Sequence, residues 1–352
     1  MGMPSLNIKF KTAAAEVAER STRGIILLIL RDTVPNGNPI TITDITEIPA
    51  TVSSDNKGYI NMALKGNEYS PKRVYAYFVA EGAEITDALS WAAKQNIDYI
   101  VMPTAETDGT SESIKSWVIG QKQYKNEVRA VLSNCAADSE YITNFVTESI
   151  KSGTKTYSAE QYTPRIAGII CGTDISHSVT FARTSEVDDC TRMSKAEMDA
   201  AEEAGKLFLF NDGEKVKLSR GVNSLTTTSA DKGSAFQKIK IIDVICVIKK
   251  DLRLICEDSY IGKYANNYSN RCLLLAAVQD YFDELETEGI VSSPEVSFNI
   301  PAIKKAMRTA GIDYSEMTDE EIKKYDFGSG IYLAAKIHIL DAIEDIDIDI
   351  AI

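Results

Sequence analysis

Strict alternation of acidic and apolar residues closes the chain: from Asp345 the order is Asp-Ile-Asp-Ile-Asp-Ile-Ala-Ile, ending at Ile352. This is the period-2 pattern of a half-buried β-strand. Ile346, Ile348, Ile350 and Ile352 fall on one face, and Asp345, Asp347 and Asp349 on the other. Upstream, Ile337 and Ile339 have the opposite parity, so residues 340–344 are expected to hold a bend or a helical turn. The tail therefore reads as an arm that seeks a sheet elsewhere, on its own domain or on another molecule.

The body of the chain follows a βα rhythm. Apolar runs predict strands over 25–30, 73–79, 99–102 and 128–132. Helical spacing predicts helices over 85–95, 112–124 and 139–150. Strands that alternate with helices of ten to fifteen residues imply a mostly parallel sheet with helices on its faces. Beyond residue 153 the pattern changes. Residues 163–172 are apolar and compact, and 196–205 predict a helix. The Asn211-Asp212-Gly213 signal predicts a hairpin between 207–210 and 215–218. Residues 224–233, rich in Ser and Thr, read as the linker. Residues 267–286 form an amphipathic helix, 301–309 a short helix or extended stretch, and 313–326 an exposed acidic excursion. At the other end, residues 5–11 alternate as a short strand.

Composition narrows the function. A chain of 352 residues with 44% apolar and 25% charged residues is long enough for two or three domains with sizeable cores. A net charge of −13 and the lack of a basic stripe argue against nucleic-acid binding. The six cysteines, Cys135, Cys171, Cys190, Cys246, Cys256 and Cys272, form no CxxC pair and read as reduced, mostly buried thiols. Residues 24–30 are too short an apolar run to span a bilayer. No targeting segment or membrane insertion is expected, and the protein should be made in a cytoplasm.

An α/β sheet invites a catalytic reading, yet GxxxxGK(S/T), GxGxxG and GxSxG are all absent. His177 lies between Asp174, Ser176 and Ser178, but a triad is assembled in space rather than along the chain, and a hydrogen-bonded turn is expected there. His338 should be the outward residue of a strand, and Trp91 and Trp117 core residues. The Asp345-x-Asp347-x-Asp349 spacing lacks the Gly and Glu of a calcium loop, so the stripe reads as a solvated face that guards against edge pairing. No catalytic, metal or cofactor site is expected. An α/β enzyme with an unrecognised active site is the alternative, and a monomeric binding module a third reading.

The two ends differ in charge. Residues 1–12 carry Lys9 and Lys11 and no acid, whereas residues 341–352 carry five acids and no base. Oppositely charged neighbours across a strand pair attract by roughly 0.2–1 kcal/mol each. The pattern favours the N-terminal arm beside the C-terminal arm, a head-to-tail rule that builds rings or helical arrays. The alternative is that both arms fold back on their own subunit.

Several segments carry a family resemblance. Pro164-Arg165-Ile166-Ala167-Gly168-Ile169-Ile170-Cys171-Gly172-Thr173, then Ser178-Val179-Thr180-Phe181, resemble the middle of contractile tail sheath proteins. So do Leu218-Ser219-Arg220-Gly221-Val222-Asn223-Ser224-Leu225-Thr226-Thr227, residues 238–245 and 260–267, and Arg271 leading its helix to Tyr281. The resemblance covers most of 160–352 and the N-terminal arm. Cys171 departs from it, where the family usually has a smaller residue.

The resemblance implies a multidomain fold that is partly α/β and partly α+β. Residues 1–21 would be an N-terminal arm, and 22–228 an inserted outer α/β domain with a mostly parallel sheet, divided near 153–163. Residues 229–330 would be the α+β C-terminal sheath domain, and 331–352 the C-terminal strand and arm. It further implies a structural subunit of hexameric rings, stacked into a helical sheath around an inner tail tube protein and meeting baseplate and tail terminator proteins. Such a sheath is assembled in the bacterial host, in a phage tail or a phage-tail-like bacteriocin, and contracts from a metastable state without nucleotide. The expected intersubunit contacts are Ile8, Lys9, Phe10 and Lys11 of one arm and Asp345, Ile346, Asp347, Ile348, Asp349, Ile350 and Ile352 of the other.

Overall fold

The computed structural model describes residues 23–121 and 127–351. They fall into two compact units: the described residues up to Val247 together with those from Asp341 on, and Ile248–Leu340.

In chain order, the first unit holds β1 (Ile25–Arg31), β2 (Ile40–Ile42), α1 (Ser54–Lys65), β3 (Arg73–Val79), α2 (Thr86–Ala92), β4 (Tyr99–Val101), α3 (Ser111–Gln121), β5 (Arg129–Ser133) and β6 (Ile142–Phe145). The hairpin β7 (Ile150–Ser152) and β8 (Lys155–Tyr157) follows, then α4 (Ala159–Cys171), α5 (Lys195–Glu203), β9 (Lys206–Leu207) and a second hairpin, β10 (Leu209–Asn211) with β11 (Val216–Leu218). Next comes α6 (Ile239–Ile255), inside which the first unit ends.

The main sheet runs β2-β3-β1-β4-β5-β6-β9, parallel throughout except for β2. β1 shows why it is parallel. Ile26, Leu28 and Leu30 enter one core with α1 and α4, while Ile25, Leu27 and Ile29 enter another with α2, α3 and the start of α6. A strand covered on both faces reads as a continuous apolar run.

β6 corrects the helix expected over 139–150. Tyr141, Ile142, Phe145 and Val146 imitate helical spacing, but Ile142 faces one core and Phe145 the other. Asn144 is tolerated inside because its side-chain oxygen accepts the Cys135 N–H at 2.8 Å.

α4 is buried on nearly every side. Pro164 lies within it and cannot donate to the Glu160 carbonyl, which instead accepts Thr163 Oγ1 at 2.7 Å. Gly168 brings α4 against α1: a Cβ there would stand 2.4 Å from the Ala63 carbonyl oxygen. Arg165, on the same helix, donates to Glu186 at 2.5 Å and to the Gly66 carbonyl at 2.6 Å. Tyr162 and Lys65 also donate to Glu186, each at 2.9 Å.

Burial alone would raise the Glu186 carboxyl, but the Arg165 charge and the hydrogen bonds from Arg165 and Lys65 outweigh it and hold the group at about 2. A carboxyl depressed on folding contributes stability that is present above its unfolded value near 4.5 and is lost as pH falls toward 2. Urea unfolding followed from pH 6 to pH 3 should lose about 2 kcal/mol to this group, the part of the shift that lies above pH 3, and Glu186→Gln should flatten the slope. An acid profile identical in the variant would refute the assignment.

The second unit contains the remainder of α6, a widened turn at Cys256–Tyr260, α7 (Tyr268–Thr287), β12 (Val291–Phe298), α8 (Ile300–Thr309), α9 (Asp319–Lys324) and β13 (Leu333–Ile339). Asn267 caps α7 by accepting the Asn270 N–H at 2.9 Å. Arg271 is buried in the first turn, donating to Asp326 at 2.5 Å and to the Tyr325 carbonyl at 3.1 Å. Tyr281 donates to Asp251 at 3.0 Å. β12 and β13 pair antiparallel, with a register shift between Ser292 and Glu295 where Ser293 has φ 52° and Pro294 follows. The acidic stretch 313–326 is less open than expected: Thr318 and Glu321 form a capping box on α9, and Ile322 is buried with Ile303 and Met307.

Among the described residues no helix is long and apolar enough to cross a membrane.

Candidate intersubunit arm and its anchor

The C-terminal arm belongs to the first unit from Asp341 on. Residues 340–351 form neither helix nor strand, and the bend or helical turn expected over 340–344 is not formed. Charge explains the path instead: Asp341 and Glu344 both turn to Lys238, which donates to them at 2.5 and 2.8 Å. Glu344 also accepts Thr180 Oγ1 at 2.5 Å and Ser178 Oγ at 3.3 Å. Arg220 donates to Asp345 at 2.5 Å.

The local fold prepares these donors. Thr180 lies beside Gly221, whose N–H donates to Thr180 Oγ1 at 2.9 Å, and a Cβ on Gly221 would meet the Val179 side chain at 2.8 Å. Lys238 immediately precedes α6. Burial opposes its charge, but hydrogen bonds to Asp341 and Glu344 prevail and raise its pKa. The Arg220 guanidinium is raised by its bond to Asp345.

Beyond Asp345 the arm is bare. Ile346, Ile348 and Ile350 are 73%, 70% and 80% exposed. Asp347 and Asp349 make no ion pair with a described residue. The expected contacts are thus separated: Asp345 is held by its own chain, whereas Ile346, Asp347, Ile348, Asp349 and Ile350 are free among the described residues. Ile8, Lys9, Phe10 and Lys11, and Ile352, lie outside the described residues.

Arg23, the first described residue, donates to the Thr173 carbonyl at 2.6 Å and to Asp243 at 2.8 Å. Asp243 lies on α6, five residues after Lys238, which is about 7.5 Å along a helix axis. Asp243 also accepts Tyr99 Oη at 2.8 Å and stands 3.3 Å from Arg129, whose guanidinium lies over the Tyr99 ring at 4.6 Å. Arg23 and the start of the C-terminal tail are therefore both fastened near the start of α6.

Sequence reasoning missed Ser178, Thr180, Arg220, Lys238, Asp243 and Glu344 as parts of this site. A signal was present: the segments 164–173, 178–181, 218–227 and 238–245 each supply a group that holds Arg23 or residues 341–345. The two histidines have modest roles. His177 Nδ1 meets Glu68 at 2.8 Å in an exposed turn, and His338 is an exposed residue of β13. Trp91 and Trp117 are half-buried against the α2–α3 core. All six cysteines are free thiols.

The model of the phage tail sheath protein central domain matches residues 79–224, and that of the phage tail sheath C-terminal domain matches 231–306. The tail sheath protein of Clostridium phage phiCD119 is 35% identical over 354 residues, covering 99% of this chain and 98% of that protein. The chain belongs to the phage tail sheath family. The phage-like element PBSX protein XkdK of Bacillus subtilis is 30% identical over 178 residues, covering 48% of this sheath protein and 37% of its own length.

Solved structures agree on the fold. The sheath tail protein of Desulfitobacterium hafniense superposes with a TM-score of 0.68 at 18% identity, over 84% of this chain and 94% of that one. The anti-feeding prophage helical sheath in the contracted state gives 0.73 at 11% identity, over 100% and 99%. This sheath protein is accordingly a structural tail subunit, of a family not known to be enzymatic.

Proposed function

We propose that this sheath protein polymerises into hexameric rings stacked as a helical sheath around an inner tail tube protein, bounded by baseplate and tail terminator proteins. The sheath is assembled extended and metastable in the bacterial host cytoplasm, within a phage tail or a phage-tail-like particle. It contracts by rigid-body movement of domains about interfaces, driving the tube through a target envelope. Stored energy behind a kinetic barrier replaces nucleotide. In this reading residues 22–228 form the outer domain, 229–330 the C-terminal sheath domain, and 1–21 and 331–352 the arms with their strands.

The observation that supports it best is the arm itself: a strand-patterned end with bare isoleucines, extending from a root held by its own subunit. The arm adds to the β12–β13 sheet of a neighbour, where main-chain hydrogen bonds give affinity and alternate Ile side chains give register. Asp345 is neutralised by Arg220, so selectivity for the Lys9 and Lys11 of a neighbouring arm falls to Asp347 and Asp349.

Purified full-length protein at rising concentration, imaged by negative-stain microscopy, tests the reading, and protein that stays monomeric throughout would refute it. Lys9→Glu with Lys11→Glu should raise the concentration needed for assembly by about 2- to 30-fold, the equivalent of two cross-strand pairs. Adding Asp347→Lys with Asp349→Lys should restore much of the loss. Without restoration the two arms are not neighbours.

A further inference from the structure

The C-terminal arm begins, as a free element, later than the end of β13. Leu340 N–H still donates to the Ile290 carbonyl at 2.9 Å, closing the β12–β13 ladder. Twelve residues follow it. Unrestrained, they would reach roughly 40 Å at about 3.3 Å per residue. The first five are not unrestrained, because the carboxylates of Asp341, Glu344 and Asp345 are taken up by Lys238, Thr180, Ser178 and Arg220.

These three carboxylates are not equivalent. Those of Asp341 and Asp345 are 42% and 81% exposed, and an exposed ion pair holds little against water. Glu344 is 5% exposed and meets an ammonium and two hydroxyls, with Arg220 Nε 3.8 Å away. Charge-assisted bonds out of water are the strong ones. Apolar packing cannot be what holds the segment, since Ile343 is 87% exposed. The donors are also set in place before the arm arrives, through the Thr180–Gly221 bond and the Thr180 N–H to Ser178 Oγ bond at 3.2 Å.

We propose that Glu344 is the positioning residue of the C-terminal arm: docked between Thr180, Ser178 and Lys238, it fixes the point from which the strand leaves its subunit. The free arm is then residues 346–352, with a reach of roughly 23 Å rather than 40 Å. Shortening the tether concentrates the strand near its acceptor, because effective concentration falls as a flexible linker lengthens. This use of the anchor rests on the sheath reading; the anchor itself does not.

Limited digestion of the monomer with proteinase K, followed by intact mass, separates the two. Wild-type protein should be trimmed quickly to about Asp345 and then resist. Glu344→Ala should be trimmed back to about Leu340, with removal of residues 341–345 at least ten-fold faster. Glu344→Gln, which keeps an oxygen toward Thr180 and Ser178, should stop the protease near Asp345 as wild type does. Thr180→Val removes a donor and should resemble Glu344→Ala, which guards against one variant failing to fold. Equal loss of residues 341–345 in wild type and in both weakened variants would overturn the proposal. In assembly, folded Glu344→Ala should need several-fold more protein to form tubes. An unchanged threshold would overturn the role in reach, whereas wild-type protein that makes no tubes at all would overturn the sheath reading and leave the digestion result standing.

Discussion

A chain that ends at Asp345 is expected to fold like the full-length protein and to form no tubes. The seven residues removed include Ile346, Ile348 and Ile350, which are exposed and touch no core of their own subunit. Surface changes of this kind shift stability by about 0.5 kcal/mol or less, so thermal unfolding followed by circular dichroism should hardly move. Assembly should respond very differently. Four isoleucines, each worth about 1.5–3 kcal/mol when fully buried, together with a set of main-chain hydrogen bonds, leave every junction between neighbours. Ordering the arm offsets part of that gain, but in the proposed sheath each subunit would both donate an arm and receive one, so the deficit would recur along the whole polymer. Ending at Asp345 keeps the Glu344 anchor intact and confines the change to the free strand. Sedimentation and negative-stain imaging would decide it, and tubes of normal length from the truncated chain would sink the arm argument.

The second large effect is expected inside the body. Asp243→Ala should cost about 3–5 kcal/mol, because Arg23 and Arg129 both lose their nearest carboxylate, leaving Arg129 with the Asp98 carboxylate at 3.9 Å. Asp243 takes Arg23 at 2.8 Å on one oxygen, and Tyr99 at 2.8 Å with Arg129 at 3.3 Å on the other. Arg129 is buried, and two of its nitrogens have no hydrogen-bond partner, so it relies on nearby charge, Asp243 at 3.3 Å first and Asp98 at 3.9 Å second. Burial would lower the Arg129 pKa, but Asp243 outweighs it and keeps the cation. Urea unfolding should show the loss, and adding Arg129→Met should recover part of it, since replacing a buried pair by apolar volume is tolerated better than breaking it. A loss below about 1 kcal/mol would show that water reaches the cluster.

How much of this was legible in the sequence depended on how local the cause was. β3 was read to the residue, and β1, β4 and β5 within a residue or two, because a strand covered on both faces writes its burial as an unbroken apolar run. α7 announced itself by amphipathic spacing. β6 was misread because Tyr141, Ile142, Phe145 and Val146 fit both a helix stripe and a two-faced strand, and only the neighbouring strands decide between them. β12 was not foreseen, since Pro294 and the bulge at Ser293 interrupt its alternation. The period of the last residues predicted a strand, and among the described residues none forms there, since Ile346, Ile348 and Ile350 lie exposed with no sheet beside them. The anchor of the arm was not legible, because Glu344 is held by residues more than a hundred positions away in the chain, and no local pattern encodes such a meeting.

The seven-stranded sheet has a further consequence for assembly. Its two outermost strands are β2, of three residues, and β9, of two. A visiting strand of seven residues would find only a stub of ladder at either margin. In a host cell crowded with identical subunits, each bearing a loose Ile-rich end, a long open margin on the larger sheet would offer a wrong address, and tangled aggregates would compete with ordered growth. Short margins remove that address, so in the proposed assembly fidelity would come partly from what the larger domain withholds.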